Sequence, residues 1–326
     1  MAGPSASETL RVGTRGSQLA LWQADHVVAR LKADHAGLGV ERVIVRTLGD
    51  KRPEAALAEI GGRGIFTREI EDALRRGSID LAVHSLKDLP TRIAEGLELG
   101  AVLIREDPRD ALLARGAHGL RELPEGARIG TSSLRRRAQL LGLRADLKVL
   151  DLRGNVPTRL QKLERGEYDA IVLARAGLLR LGLAGRIAEV FEPETLLPAV
   201  GQGAIGLQIR AGEPRVARLV AALDHEPTRL ATAAERALLA RLEGGCQVPV
   251  AALGELAGRR LTLRGLVADV EGREVLRDRE ARDVGGEAEA RALGEALAER
   301  LLRQGAAPIL ARVRALGYAG PAGFEA

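Results

Sequence analysis

The stretch Ile79-Asp80-Leu81-Ala82-Val83-His84 decides the fold of this chain. It is an apolar run of the length of one buried parallel strand. Just before it, Thr67 to Arg76 puts Ile70, Ala73 and Leu74 on one side and stops at Gly77, which predicts a helix. Further back, Leu10 to Gly13 reads as a strand, Gln18 to Lys32 as a helix and Arg42 to Thr47 as a strand. Strands and helices in alternation predict an α/β domain with a mainly parallel sheet up to about residue 105.

The same grammar returns from about 106 to 200. Its parts are Ala127 to Gly130, a helix from Leu134, Lys148 to Leu152, a helix from Thr158 to Arg165 and the apolar strand Ala170 to Leu173. The loop Pro198-Ala199-Val200-Gly201-Gln202-Gly203 interrupts it before another apolar run, Ile205 to Ile209. Beyond about 224 a helix (Thr228 to Leu242) precedes the partly alternating runs Leu261 to Ala268 and Glu274 to Arg282, then an amphipathic helix around Glu287 to Arg303. Helices set apart from neighbouring strands predict a small α+β domain.

At 326 residues the chain suggests two domains and allows three. Hydrophobic residues at 46% and charged residues at 29% exclude wholesale disorder, and aromatics at 2% leave Leu, Val, Ile and Ala to fill the core. No apolar run approaches the ~20 residues of a membrane span, and the N-terminal MAGPSASETL has no apolar h-region, so a soluble, cytoplasmic protein with no membrane partner is expected. The single cysteine, Cys246, excludes an internal disulfide and a zinc ribbon. A net charge of +5 is modest, and six scattered aromatics supply no stacking platform, so nucleic acid is not expected as a partner.

One junction recurs: a short apolar strand, then hydroxyl, Gly and Arg residues, then a helix. It stands as Val12-Gly13-Thr14-Arg15-Gly16-Ser17, as Gly130-Thr131-Ser132-Ser133-Leu134-Arg135-Arg136-Arg137, and as Leu152-Arg153-Gly154-Asn155-Val156-Pro157-Thr158-Arg159. A helix start presents unpaired N–H groups and partial positive charge, so a hydroxyl and an Arg placed there make an anion seat. Ser17, Ser133 and Thr158 are equally good as plain N-caps. Ligands of open α/β sheets collect beyond the carboxyl ends of the strands, where all three junctions fall. The ligand implied carries many negative charges.

His84-Ser85-Leu86-Lys87-Asp88-Leu89-Pro90 places Lys87 and Asp88 just past a strand, as a turn or as a charge pair for proton work. Gly61-Gly62-Arg63-Gly64-Ile65-Phe66 lacks P-loop spacing and reads as a loop able to act as a lid carrying one Arg and one aromatic. Glu243-Gly244-Gly245-Cys246-Gln247-Val248-Pro249 puts the lone thiol in a tight turn, inert or reactive. A binding protein for an anionic small molecule would use the same junctions without needing Asp88 or Cys246.

Taken in order, these segments, with Leu19-Ala20-Leu21-Trp22-Gln23 and Leu197 to Gly203, resemble the porphobilinogen deaminase (hydroxymethylbilane synthase) family from about Leu10 to Ala311. The resemblance implies a fold of two periplasmic-binding-protein-like α/β domains, at 1–105 with 201–223 and at 106–200, plus a C-terminal α+β domain at 224–326. It implies a monomeric transferase that joins four porphobilinogens head to tail with loss of ammonia to give hydroxymethylbilane, on a dipyrromethane cofactor bound to Cys246 through a thioether, with no metal. Asp88 is then the catalytic carboxylate, steadying the azafulvenium cation formed as ammonia leaves. Thr131, Ser133, Arg135, Arg136, Arg153, Asn155, Lys87 and Asp88 match cofactor-binding positions. Arg15, Ser17, Gln23, Arg63, Phe66, Arg153, Arg159 and Arg180 match substrate-binding ones. Where bacterial relatives commonly carry lysines in the mobile loop, this chain has Glu59 and Arg63; no binding role passes to Glu59.

Overall fold

The structure is a computed structural model that describes residues 9–47, 67–242 and 248–316. They divide into two compact units, one of residues up to 105 together with 204–229, the other of 106–203 together with 230 onward.

The first unit opens with β1 (Leu10–Thr14), α1 (Gln18–Asp34) and β2 (Val40–Ile44), and continues with α2 (Arg68–Arg75), β3 (Leu81–Ser85) and β4 (Leu97–Val102). Gln23, Ala24, Val27 and Leu31 form the buried face of α1 at three- and four-residue spacing, and Ser17 caps its start by accepting from Ala20 N. Gly13 lets the helix side of the sheet close tightly, because a Cβ there would lie 2.3 Å from Ile79 Cδ1. At the foot of β3, buried Asp80 accepts from Arg11 Nε and Nη2 and from Arg210 Nη2. These cations hold its carboxyl below the usual carboxylate range although burial alone would raise it. The strand expected at Arg42 to Thr47 lies at Val40–Ile44 instead, although Val45 N still donates to Thr14 O.

The second unit holds β5 (Asp110–Ala114), β6 (Arg128–Gly130), α3 (Leu134–Leu143), β7 (Lys148–Leu150), α4 (Val156–Glu164), β8 (Ala170–Ala174), α5 (Arg175–Arg180) and β9 (Glu189–Val190). The helix expected to start at Thr158 starts at Val156, because Asn155 rather than Thr158 supplies the cap, its Oδ1 accepting from Thr158 N. The chain then returns to the first sheet with β10 (Ile205–Arg210) and α6 (Pro214–Ala221).

The sheet orders are β2-β1-β3-β10-β4 and β7-β6-β8-β5-β9. Each has a parallel trio followed by an antiparallel strand, β10 or β5, that begins just after the chain crosses from the other unit, and then an edge strand. The expectation of mainly parallel sheets holds for strand direction, since four of the five strands in each sheet run the same way and one is reversed. Half the pairings in each sheet are antiparallel, because the crossing chain enters against the direction of the trio. Hydrophobic periodicity reports burial, not direction.

After α7 (Glu226–Arg241) come the antiparallel meander β11 (Val250–Ala257), β12 (Arg260–Ala268) and β13 (Val275–Asp283), and α8 (Glu287–Leu301). A π-turn, Leu302–Ala306, leads into α9 (Ala307–Ala315). Ala138 of α3 and Leu197 share one buried cluster with Ala251, Leu253, Leu266 and Ala268 of the meander. Gly272, at φ +70° in the β12–β13 turn, lies so close to α3 that a Cβ there would sit 2.1 Å from Ala138 O. The C-terminal α+β segment and the second sheet therefore pack as one unit.

Candidate active site

In the first unit the sequence-predicted residues gather at the carboxyl ends of β1 and β3. These strands are parallel neighbours in register Gly13↔Ala82, which puts Arg15 level with His84. Arg15 and Ser17 follow β1, and Lys87 and Asp88 form a 3-10 turn, Leu86–Asp88, directly after β3. Leu86 anchors that turn: its side chain is buried and its N–H donates to Ala204 O at 3.0 Å. Lys87 is half-buried and Asp88 is exposed.

Gln23, on the buried face of α1, reaches the end of β3. It is 2% exposed, and its Nε2 donates to Ser85 Oγ at 2.9 Å, bracing the end of β3. Below that point, buried His84 bonds through Nε2 to Gln208 Oε1 (3.1 Å), and Gln208 Nε2 donates to Glu71 Oε1 (3.0 Å). The His84 ring is pushed down to about 4, first by burial and then by the nearby charge of Arg15, with the Gln208 bond opposing. The unfolded chain takes a proton on His84 below about pH 6.5 while the folded chain refuses it until about pH 4. This part of the stability is therefore whole above pH 6.5 and is lost on acidification towards pH 4, by ~3 kcal/mol. Denaturant melts across that window are expected to show this slope in the wild type and a flatter one in His84→Asn; equal slopes would remove His84 as its source.

In the second unit the predicted residues lie at the carboxyl ends of β6, β7 and β8. Ser133 caps α3 by accepting from Arg136 N, and Thr131 Oγ1 accepts from Ser133 N, so both hydroxyls shape the helix start. Arg135 and Arg136 turn inward, 4% and 6% exposed. Arg135 Nη1 donates to Asp110 Oδ2 and to Leu197 O, both at 2.7 Å. Arg136 donates through Nη2 to Asp110 Oδ1 (2.7 Å) and through Nη1 to Val172 O (2.9 Å). Burial would raise the Asp110 carboxyl, but the two guanidinium charges hold it far below the usual range. Asp110 and main-chain carbonyls thus take two of the five N–H donors of Arg135 and three of the five of Arg136.

Past β7, Arg159 Nε donates to Gly154 O at 2.8 Å, Arg153 lies 3.8 Å from Asp151, and Asn155 is exposed as the α4 cap. Past β8, Arg180 Nη2 donates to Gly203 O at 2.6 Å, and burial lowers the Arg180 pKa. Glu59, Arg63, Phe66 and Cys246 lie outside the described residues. Sequence reasoning missed Asp110 and Gln202. The one available signal for Asp110 was a lone acid opening the apolar run Ala111-Leu112-Leu113. A cleft of about 460 Å³ beside Asp107, Arg109, Glu192, Glu194, Glu255 and Arg264 contains none of the predicted residues. Its charges are matched internally, Arg264 with Glu194 and Glu255, and Arg109 with Glu192.

Two family models match the chain. "Porphobilinogen deaminase, dipyromethane cofactor binding domain" covers residues 10–218, and "Porphobilinogen deaminase, C-terminal domain" covers residues 229–303. The chain belongs to the porphobilinogen deaminase family. A porphobilinogen deaminase from Desulforudis audaxviator is 54% identical over 304 residues, spanning 93% of this chain and 97% of the relative. Another from Moorella thermoacetica is 54% identical over 268 residues, spanning 82% and 86%. Among solved structures, a periplasmic substrate-binding protein of an ABC transporter from Coxiella burnetii aligns with 70% of this chain and 97% of its own at 18% identity. Its TM-score of 0.42 is too low to bear on fold or ligand.

Porphobilinogen deaminases are transferases of tetrapyrrole formation, and the first matched model is named for their dipyrromethane cofactor. The residues after β6 fit an acid-bearing group of that kind. One carboxylate against two guanidinium groups leaves the buried cluster at a net charge of +1. Within it, the buried Nε of Arg135 has no hydrogen-bond partner. A buried cation with an unsatisfied donor is costly unless an anion completes it. No described helix is long and apolar enough to cross a membrane, and the described residues contain no cluster able to hold a metal.

Proposed function

We propose that this chain joins four porphobilinogen molecules head to tail with loss of ammonia and releases hydroxymethylbilane on addition of water. The observation that carries the reading is the buried surplus cation of Arg135, Arg136 and Asp110, with its orphaned Arg135 Nε, at the carboxyl end of a sheet in a chain of this family. The cofactor supplies, when bound, a pyrrole end from which the product grows.

Cys246 holds it through a thioether, and Lys87, Asp88, Thr131, Ser133, Arg135, Arg136, Arg153 and Asn155 are its further binding residues. Arg15, Ser17, Gln23, Arg63, Arg153, Arg159 and Arg180 bind the acetate and propionate groups of substrate, each charge-assisted bond contributing about 1.5 to 3 kcal/mol. Phe66 covers the rings. Asp88 acts on the substrate. As the C–N bond of the aminomethyl group breaks and the electron pair leaves with ammonia, its carboxylate stands against the positive charge spreading onto the pyrrole N–H. When the new C–C bond forms, the same carboxylate takes the proton lost from the attacking ring. The chain works as a cytoplasmic monomer, with neither nucleic acid nor membrane as a partner. Its domains are 1–105 with 201–223, 106–200, and 224 onward.

Intact mass of the chain, expressed in a host that makes porphobilinogen, is expected to exceed the sequence mass by one dipyrromethane. The excess should vanish in Cys246→Ser together with turnover. A bare thiol in a fully active wild type would sink the reading.

A further inference from the structure

We infer that Asp110, steadied by Gln202, is the positioning residue that sets Arg135 and Arg136 for the cofactor's carboxylates; this rests on the reading above. Arg135 and Arg136 are consecutive on α3, so their side chains leave the helix about 100° apart and would diverge if left alone. Instead each oxygen of one carboxylate takes one guanidinium, Oδ2 from Arg135 and Oδ1 from Arg136, both at 2.7 Å. Asp110 is wholly buried at the start of β5, so its position is fixed by the sheet rather than by the arginines.

Its rotation is fixed by Gln202, whose Nε2 donates to Asp110 Oδ1 (2.9 Å) and to Pro108 O (2.7 Å). The loop that carries Gln202 is tied down on both sides. Gly201 N donates to Glu235 Oε2 at 2.7 Å, and Gly203 O accepts from Arg180 Nη2 at 2.6 Å. One buried node therefore registers both cations assigned to the cofactor, and the loop that steadies it also meets Arg180. It neutralises only one charge of the arginine pair, and it leaves Arg135 Nε unpartnered. An acid that served stability alone would be expected to satisfy the pair it holds. The Pro198 to Gly203 motif, which the chemistry above leaves without a role, acquires one as the carrier of Gln202.

The test starts from chain made in a host unable to synthesise porphobilinogen. It is incubated with porphobilinogen while intact mass follows adduct formation on Cys246, with circular dichroism reporting the folded fraction. Asp110→Asn keeps the shape and removes the charge; Gln202→Met keeps the length and removes the donor. Per folded molecule, loading is expected to slow about ten-fold or more in Asp110→Asn and about three-fold in Gln202→Met. In the loaded Gln202→Met enzyme KM should rise while kcat holds. Folded Asp110→Asn that loads at the wild-type rate overturns the inference. Should Asp110→Asn fail to fold, Gln202→Met decides: slowed loading supports the inference, and wild-type loading overturns it. A wild type that takes up no adduct overturns the proposed function itself and the inference with it.

Discussion

Asp88→Ala is expected to lower kcat by about a hundred- to a thousand-fold, with the fold and KM little changed. The size follows from what the side chain faces. A fixed carboxylate beside a pyrrole stabilises the transition state, in which positive charge has developed, far more than the neutral ring of the ground state. On the proposed reading the arginines, not Asp88, hold the substrate carboxylates, so binding should survive the loss of Asp88. The fold survives because the turn is anchored elsewhere, through buried Leu86 and the bonds Leu86 N to Ala204 O and Leu89 N to Leu86 O, while Asp88 itself is exposed. Asp88→Asn separates charge from shape and should be nearly as slow. Steady-state kinetics with a thermal melt check this: normal turnover would remove Asp88 from the chemistry, and a lowered melting point would mark it as structural.

How far the sequence disclosed this site depends on the range of the interaction concerned. Local signals were readable. The apolar run of β3, the one-sided Ile70, Ala73 and Leu74 of α2, and the cap types Ser17 and Ser133 each depend on residues within a turn or two, and each stands as read. The burial of Gln23 was legible from its spacing, since it falls on the same face as Ala24, Val27 and Leu31; its partner Ser85, 62 residues away, was not. The arginines after β6 were legible as anion-seeking side chains. Their orientation was not, because Asp110 lies 25 residues before Arg135 and Gln202 lies 92 residues after Asp110. No periodicity links residues that far apart, and only strand order brings them together. The antiparallel sense of β10 and β5 was hidden for the same reason.

The second large effect is expected at a residue with no chemistry. Gly294→Val should destabilise the chain by about 3 kcal/mol, lowering the thermal midpoint by roughly 5 °C. Gly294 sits in α8 where that helix crosses α7, and a Cβ there would lie 2.1 Å from Ala234 O and 2.9 Å from Ala237 Cβ. The obstacle is backbone, which cannot rotate away as a side-chain tip can. On an adjoining part of α7, Gly254 of β11 also comes within main-chain contact, its Cβ position 2.8 Å from Ala231 O. Buried Ala231, Ala234 and Ala237 thus allow α7 to touch both a strand and a helix at main-chain distance. A valine at 294 must push α8 off this seat and open the cluster that holds Leu238, Leu263, Leu293 and Leu297. Gly185 supplies the comparison, since a Cβ there would meet nothing within 4 Å, and Gly185→Ala should change stability by less than about 0.5 kcal/mol. Because α7 ends five residues before Cys246 in sequence, the proposed attachment predicts that a chain with this helix displaced loads cofactor more slowly per folded molecule. A Gly294→Val protein that melts with the wild type would mean that the two helices separate at no cost, against the close packing on which the whole C-terminal segment is built.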